Sequence, residues 1–247
     1  MNAIFQHGYS IKMILVIQHV TIEGPGILGP FLLSRGFDLH IIDFEKGDSL
    51  PVLSDDVEAV ISMGGPMNVY EEEAYPFLKD ENNFLQEVLK KRIPFLGLCL
   101  GAQLICKAAS GRVQKGKAKE VGWGEVLLTD MGKNDLLFND VPVIVPTFQW
   151  HGDECILPSG AILLAHNDIC EAQCFRIGSC AYGMQFHFEV TADIIESWID
   201  ANNDDSFVTE EDTCDIRMRM KKMFIFIEPR AQTVMNNFLA IIQGLKA

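Results

Sequence analysis

The stretch Ile93-Pro94-Phe95-Leu96-Gly97-Leu98-Cys99-Leu100-Gly101-Ala102-Gln103 decides how the chain is read. A short apolar run ends at a cysteine that has a glycine two residues before it and another two residues after it. A helix-forming segment, Ala102 to Ala109, starts at once. A strand that turns this sharply into a helix strains the residue at its tip. It also brings the second neighbours so close that a Cβ on either would clash. The pattern is a G-x-nucleophile-x-G elbow with cysteine in the position that serine often holds. Free N–H groups and the dipole at the helix start favour the thiolate, the reactive form. Taken alone, the stretch also fits an inert core cysteine at a strand end.

Outward from the elbow, the N-terminal part alternates strands and helices. Met13 to Gln18 reads as a buried strand, Asp38 to Asp43 as a second, Val57 to Ser62 as a third and Pro94 to Leu98 as a fourth. A helix is expected from Ile27 to Ser34, stopped by Gly36. Another is expected from about Pro76 to Arg92, with acidic residues near its start and Lys90, Lys91 and Arg92 at its end, as the helix dipole prefers. This order implies an α/β fold: a doubly wound, mostly parallel central sheet flanked by helices. Ligands of such sheets sit at the carboxyl ends of strands, where Cys99 falls.

Beyond Gly111 the pattern changes. Short strand-like pieces at Glu125–Thr129, Val143–Phe148, Ile162–His166, Ala172–Ile177 and Ala181–His187 suggest an added antiparallel portion. The remainder reads as helical: Thr191 to about Asn202, a loop over 202–206, then about Thr209 to Gly244 with an interruption near Pro229. The expected organisation is one domain over 13–247, with 1–12 as an N-terminal extension and 204–247 as a helical C-terminal addition.

Two further stretches carry chemistry. In Met184-Gln185-Phe186-His187-Phe188-Glu189-Val190, extended alternation places His187 and Glu189 on one face, with Phe186 and Phe188 turned toward a core. A carboxylate beside the far nitrogen of an imidazole fixes its tautomer and stabilises the imidazolium during proton transfer. With a cysteine elbow, the set becomes nucleophile, base and orienting group. Ser62-Met63-Gly64-Gly65-Pro66 follows the third strand directly. Its paired glycines allow a backbone N–H to turn inward and join the Leu100 N–H as a donor to a developing oxyanion. Gln103, one helical turn past Cys99, is placed to hydrogen-bond a polar substrate.

Composition bounds the rest. The 247 residues are 48% apolar and 22% charged, as in a globular chain. A net charge of −14 argues against nucleic acid or an anionic membrane as a partner, and favours small substrates or a basic partner. No apolar run reaches membrane-spanning length, and Met1 to Lys12 lack the form of a signal peptide. The seven cysteines show no CxxC pair, and Cys170 and Cys174 lack partners for zinc, so neither a metal nor a cofactor is expected. A reducing cytoplasm is the expected location. The run Arg217, Arg219, Lys221 and Lys222 is the candidate contact surface if the C-terminal helices act as a lid or docking face, although such a charge run is more often a solvated helix face.

With these stretches in hand, the chain resembles the class I (triad) glutamine amidotransferases, most nearly the amidotransferase domain of GMP synthetase and its stand-alone relatives. The resemblance covers about Met13 to Val190. It rests on Gly64-Gly65-Pro66, Gly97 to Gln103, Trp150-His151-Gly152-Asp153-Glu154 and Gln185 to Val190, in that order. It implies that Cys99 attacks the side-chain amide of glutamine, that His187 transfers protons and that Glu189 orients His187. It also implies that Gly65 and Leu100 donate to the oxyanion, and that Gly64, Gln103, Trp150 and His151 bind substrate. Two departures stand out. Phe188 replaces the proline common between the catalytic His and Glu, and the region after Asn203 does not match. No ATP-pyrophosphatase loop or P-loop occurs, so an acceptor would be activated by a synthetase on a separate polypeptide. Two other readings stay open: a γ-glutamyl hydrolase or peptidase using the same triad, and a non-catalytic regulatory module.

Overall fold

Strands that are buried on both faces pair in parallel, because helices must cover both sides of the sheet. The computed structural model, which describes residues 13–202 and 207–244, follows this logic in its first half. β1 (Met13–Gln18), α1 (Leu28–Ser34), β2 (Asp38–Asp43), β3 (Val57–Ser62), α2 (Phe77–Lys91), β4 (Phe95–Leu98) and α3 (Leu100–Ala108) alternate along the chain. There follow β5 (Arg112–Leu128), α4 (Asp130–Lys133), β6 (Ile144–Ile156), β7 (Ile162–His166), β8 (Cys174–Ile177), β9 (Ala181–Met184), α5 (Ala192–Ala201) and α6 (Glu210–Gly244). All nine strands form one sheet in the order β2-β1-β3-β4-β9-β8-β7-β5-β6. Pairs from β2 across to β9 are parallel, and pairs from β9 to β6 are antiparallel. The doubly wound sheet, the antiparallel portion and the helical C-terminal region are therefore all present.

Alternation sorts the core into two layers. Ile14, Val16, Ala59, Ile61, Leu96 and Leu98 meet α1 and the second half of α6, through residues such as Leu32 and Phe238. Leu15, Ile17, Val60 and Phe95 meet α2 and α3 through Leu78, Leu85, Leu104 and Ile105. Each of these side chains except Ala59 contributes about 1.5–3 kcal/mol by leaving water. A third cluster joins Trp123 of β5, Phe148 of β6, Trp198 of α5 and Ile216 and Ile227 of α6. The Trp123 indole N–H donates to the Ile216 carbonyl at 2.9 Å.

Three expectations need correction. β5 and β6 are much longer than the pieces read from the sequence, because they pair with each other along a ribbon from Arg112↔Ile156 to Leu127↔Ile144. β9 ends at Met184, so His187 and Glu189 lie beyond it. His187 makes an isolated antiparallel bridge to Phe148, and the chain bends on either side. Pro229 lies inside α6 without ending it. The carbonyl that it leaves without a donor belongs to Ile225, which is exposed, so water can take the place of the missing N–H. Residues 1–12, read as an extension, and 203–206, most of the expected loop, lie outside the described residues. Arg217 pairs with Glu196 and Asp200, and Arg219 with Asp215, all at the surface. Among the described residues no helix is long and apolar enough to cross a membrane.

Candidate active site

The carboxyl ends of β1, β3 and β4 converge, and Cys99 stands at the tip of β4. Its backbone sits at φ 48°, ψ −102°, a conformation that disfavours any side chain by roughly 1–3 kcal/mol. Two hydrogen bonds hold the turn. Cys99 N–H donates to the Met184 carbonyl at 2.8 Å, and Gly101 N–H to the Met63 carbonyl at 3.1 Å. Neither flanking glycine can carry a side chain. A methyl on Gly97 would stand 2.5 Å from the Gly101 carbonyl, and one on Gly101 would stand 2.2 Å from the Ser62 oxygen. The pattern read from the sequence is thus a contact requirement.

His187 faces Cys99 from the segment after β9, on the neighbouring strand. Its Nδ1 lies 2.6 Å from Glu189 Oε1, and the second carboxylate oxygen accepts the Phe188 N–H at 2.9 Å. The Cys99 sulfur is near enough to the imidazole to raise its basicity. Both His187 and Glu189 are buried, as are Phe186 and Phe188. The Trp198 ring packs edge-on to the imidazole at 4.7 Å. Burial alone would lower the basicity of His187. The Glu189 carboxylate and the Cys99 sulfur outweigh it and hold the imidazole well above the usual histidine range.

Gly64 and Gly65 follow β3 and lie beside the elbow, with Leu100 close to Gly65. A methyl on Gly65 would stand 2.8 Å from Leu100 Cδ2. Leu100 opens α3, so its N–H has no partner within the helix. Neither this N–H nor that of Gly65 has an acceptor among the described residues.

These residues open onto a cavity of about 650 Å³, lined also by Gln103, Trp150 and His151. The Trp150 carbonyl is 3.8 Å from Cys99 Sγ. His151 is held inside β6, within hydrogen-bond distance of Gln149 Oε1 and the Asp153 carbonyl. Gln103 donates to Gln185 Oε1 at 3.1 Å, and Gln185 Nε2 reaches the cysteine sulfur at 3.6 Å. Sequence reasoning did not assign Gln185 a role. Its place just before the His-x-Glu segment was the available signal. Glu23, after β1, was also missed. Its carboxyl overhangs Gly64 near the His187 ring, and burial pushes it up to about 7 against the pull of His187 and His19. No group of three or more His, Cys, Asp or Glu among the described residues could hold a metal ion.

Comparison with known proteins points the same way. The family model described as glutamine amidotransferase class-I matches residues 31–197. The glutamine amidotransferase-like protein YfeJ of Salmonella typhimurium is 27% identical over 186 residues, which cover 74% of this chain and 78% of that one. The glutamine-hydrolysing GMP synthase subunit of Methanocaldococcus jannaschii is 33% identical over 137 residues, 55% of this chain and 66% of that one. Longer GMP synthases, such as that of Spiroplasma kunkelii, are matched over 25% of their length. A crystal structure of a glutamine amidotransferase from Thermotoga maritima superposes with a TM-score of 0.83 at 33% identity, covering 93% of this chain and 97% of that one.

Proposed function

From the premise that this chain belongs to the class-I glutamine amidotransferase family, we propose that it hydrolyses the side-chain amide of glutamine through a γ-glutamyl thioester on Cys99. The observation that carries this reading is the strained Cys99 facing an imidazole that Glu189 holds at 2.6 Å. His187, held basic by Glu189, takes the proton of the Cys99 thiol. The thiolate adds to the amide carbon, and the oxyanion forms between the N–H groups of Gly65 and Leu100. The C–N bond then breaks and its electron pair stays on nitrogen, which takes the proton of His187 and leaves as ammonia. Acylation removes the sulfur's charge, so His187 loses one of the groups that raise its basicity. It can then take a proton from water, whose oxygen adds to the thioester. The C–S bond breaks, and glutamate and thiolate are restored.

In this reading Gln103 and the backbone at Trp150 and His151 hold the amino-acid end of the substrate. The ammonia serves an acceptor enzyme on a separate polypeptide, in keeping with relatives that are named as one subunit of a GMP synthase. We take 13–247 as one domain, with 204–247 an addition beyond the matched segment. Seven free thiols suit a reducing cytoplasm.

One observation favours a second reading, hydrolysis of a larger γ-glutamyl compound. The cavity falls in the range that takes drug-sized ligands, and Tyr70, Trp198 and Phe207 extend its wall. The test is glutamate release by the purified chain from glutamine and from γ-glutamyl dipeptides at equal concentration, with Cys99→Ser as control. Faster release from glutamine, reduced about a thousandfold or more in Cys99→Ser, supports the first reading. Faster release from dipeptides replaces it with the second, and near-normal turnover by Cys99→Ser removes both.

A further inference from the structure

His19 follows β1, and its side chain is buried with a partner on each ring nitrogen. Nδ1 is 2.8 Å from the Gly64 carbonyl oxygen, and Nε2 is 2.8 Å from Glu81 Oε2. The other oxygen of Glu81 accepts the Ser62 hydroxyl at 2.7 Å. A carbonyl can only accept, so Nδ1 carries a hydrogen. The Gly64 carbonyl and the Gly65 N–H belong to one planar, trans peptide unit and point in opposite directions. An imidazole that grips this oxygen therefore sets the direction of the Gly65 N–H, away from His19. That N–H is the one that has no acceptor among the described residues and lies beside Leu100.

Resting on the thioester reading above, we propose that His19 is a positioning residue for the reaction: backed by Glu81 and Ser62, it locks and polarises the Gly64–Gly65 peptide so that the Gly65 N–H is aimed at the oxyanion before substrate arrives. Its charge strengthens the effect. Burial alone would neutralise His19, but Glu81 and then the Gly64 carbonyl raise its basicity above the usual value, with Glu23 adding to the pull. The groups facing it are Glu81 from α2, Glu23 from the loop after β1, and the rings of Phe44 and Phe77. An imidazolium on the carbonyl side of a peptide makes its N–H a better donor.

A purely structural role accounts poorly for this arrangement. Glu81 occupies the apolar stripe of α2, among Leu78, Leu85 and Val88. A buried ion pair is often no more stabilising than apolar side chains of the same volume, so packing alone would favour a leucine there. The geometry spends a core position on holding one peptide still.

The experiment uses the full chain with His19→Leu, His19→Asn and Glu81→Gln, and reads two kinds of chemistry at Cys99. Glutamine turnover, and inactivation by the glutamine analogue 6-diazo-5-oxo-norleucine, place a carbonyl oxygen at the two N–H groups. Alkylation by iodoacetamide, followed at the Cys99 peptide by mass, does not require them. His19→Leu is expected to lower kcat and diazoketone inactivation about a hundredfold, the scale of one oxyanion donor, with KM and iodoacetamide alkylation within about threefold. His19→Asn restores an N–H near Nδ1 without charge and is expected to recover about tenfold. Glu81→Gln should fall between them. The diazoketone comparison reports even where the isolated chain turns over slowly. Unchanged diazoketone inactivation in His19→Leu would overturn the proposal. So would an equal loss of iodoacetamide alkylation, which would mark simple collapse of the elbow. Turnover by Cys99→Ser in the same assays would sink the thioester reading itself, whatever the His19 variants do.

Discussion

On the parallel side of the sheet the candidate site depends on backbone geometry, which places the Cys99 thiol and two N–H donors, whereas beyond β9 it depends on what surrounds the His187 and Glu189 side chains. The elbow on β4 and the Gly64–Gly65 peptide after β3 contribute a strained φ and two N–H groups, held by strands buried on both faces. Beyond β9 the contribution is an imidazole, a carboxylate and a glutamine amide, on a segment outside regular structure that is pinned by the bridge to Phe148 and by backbone hydrogen bonds to Gln173 and Ile27. Backbone donors need exact placement but have no charge to tune, so a rigid, doubly covered sheet suits them. A proton-transfer group needs its basicity set, which depends on what surrounds it rather than on the strand beneath it. If this division is right, the two halves should fail differently when altered.

The largest effect is expected where one methyl invades the backbone half. A Cβ on Gly101 would meet the Ser62 carbonyl at 2.2 Å, and Ser62 belongs to a central strand that cannot retreat. Gly101→Ala should cost about 3 kcal/mol or more of stability and remove turnover with it. Thermal denaturation beside glutamate release checks this. A variant of wild-type stability that had lost only its turnover would show that the elbow is not a rigid unit.

The side-chain half should break without unfolding. Glu189→Gln keeps the shape but removes the charge that offsets the burial of His187. The expected result is a kcat about a hundredfold lower or worse, with KM little changed. The sign of the pH effect follows from the same balance. With the carboxylate gone, burial lowers the basicity of His187, so the imidazolium is lost at lower pH. The alkaline limb of kcat/KM should therefore move toward acid. A limb that stays in place would mean that Glu189 does not set the charge on His187.

The same division explains what could be read in advance. β1, β2, β3 and β7 have the ends expected from the sequence, because apolar runs bounded by turns mark them locally. The first half of β5 could not be read that way. Arg112 to Lys119 is largely exposed, carries Lys115, Lys117 and Lys119, and contains a register shift, so no alternation marks it as a strand. It is extended because β6 pairs with it, a non-local fact. The Cys99 elbow was legible because its strain demands glycines at fixed offsets. His187 and Glu189 were legible too, from their spacing in one extended segment, but the side chains behind them were not. Nothing in the sequence singles out His19, and Glu23 acquires its high basicity from burial, with Glu189 adding to it, in the folded chain alone. Glu81 did leave a trace: a carboxylate three residues after Leu78 and four before Leu85, inside the buried stripe of a helix.

The smallest effect concerns the element that spans both halves. The first half of α6 packs on the cluster of Trp123, Phe148 and Trp198, and the second half packs through Val234 and Phe238 on the core behind the parallel strands. Pro229 lies on the exposed side near the join. It leaves the Ile225 carbonyl without its helical donor, while its own carbonyl accepts the Thr233 hydroxyl at 3.0 Å. Pro229→Ala restores that bond, but it also frees the unfolded chain, which offsets part of the gain. A net stabilisation of about 1 kcal/mol, or roughly 2–4 °C in Tm, is expected. Turnover should stay within about twofold of the original, since the helix only covers the two halves. If turnover instead changed severalfold, the join at Pro229 would have to flex during the reaction. The two halves would then be coupled through α6 as well as through the facing pair of Cys99 and His187.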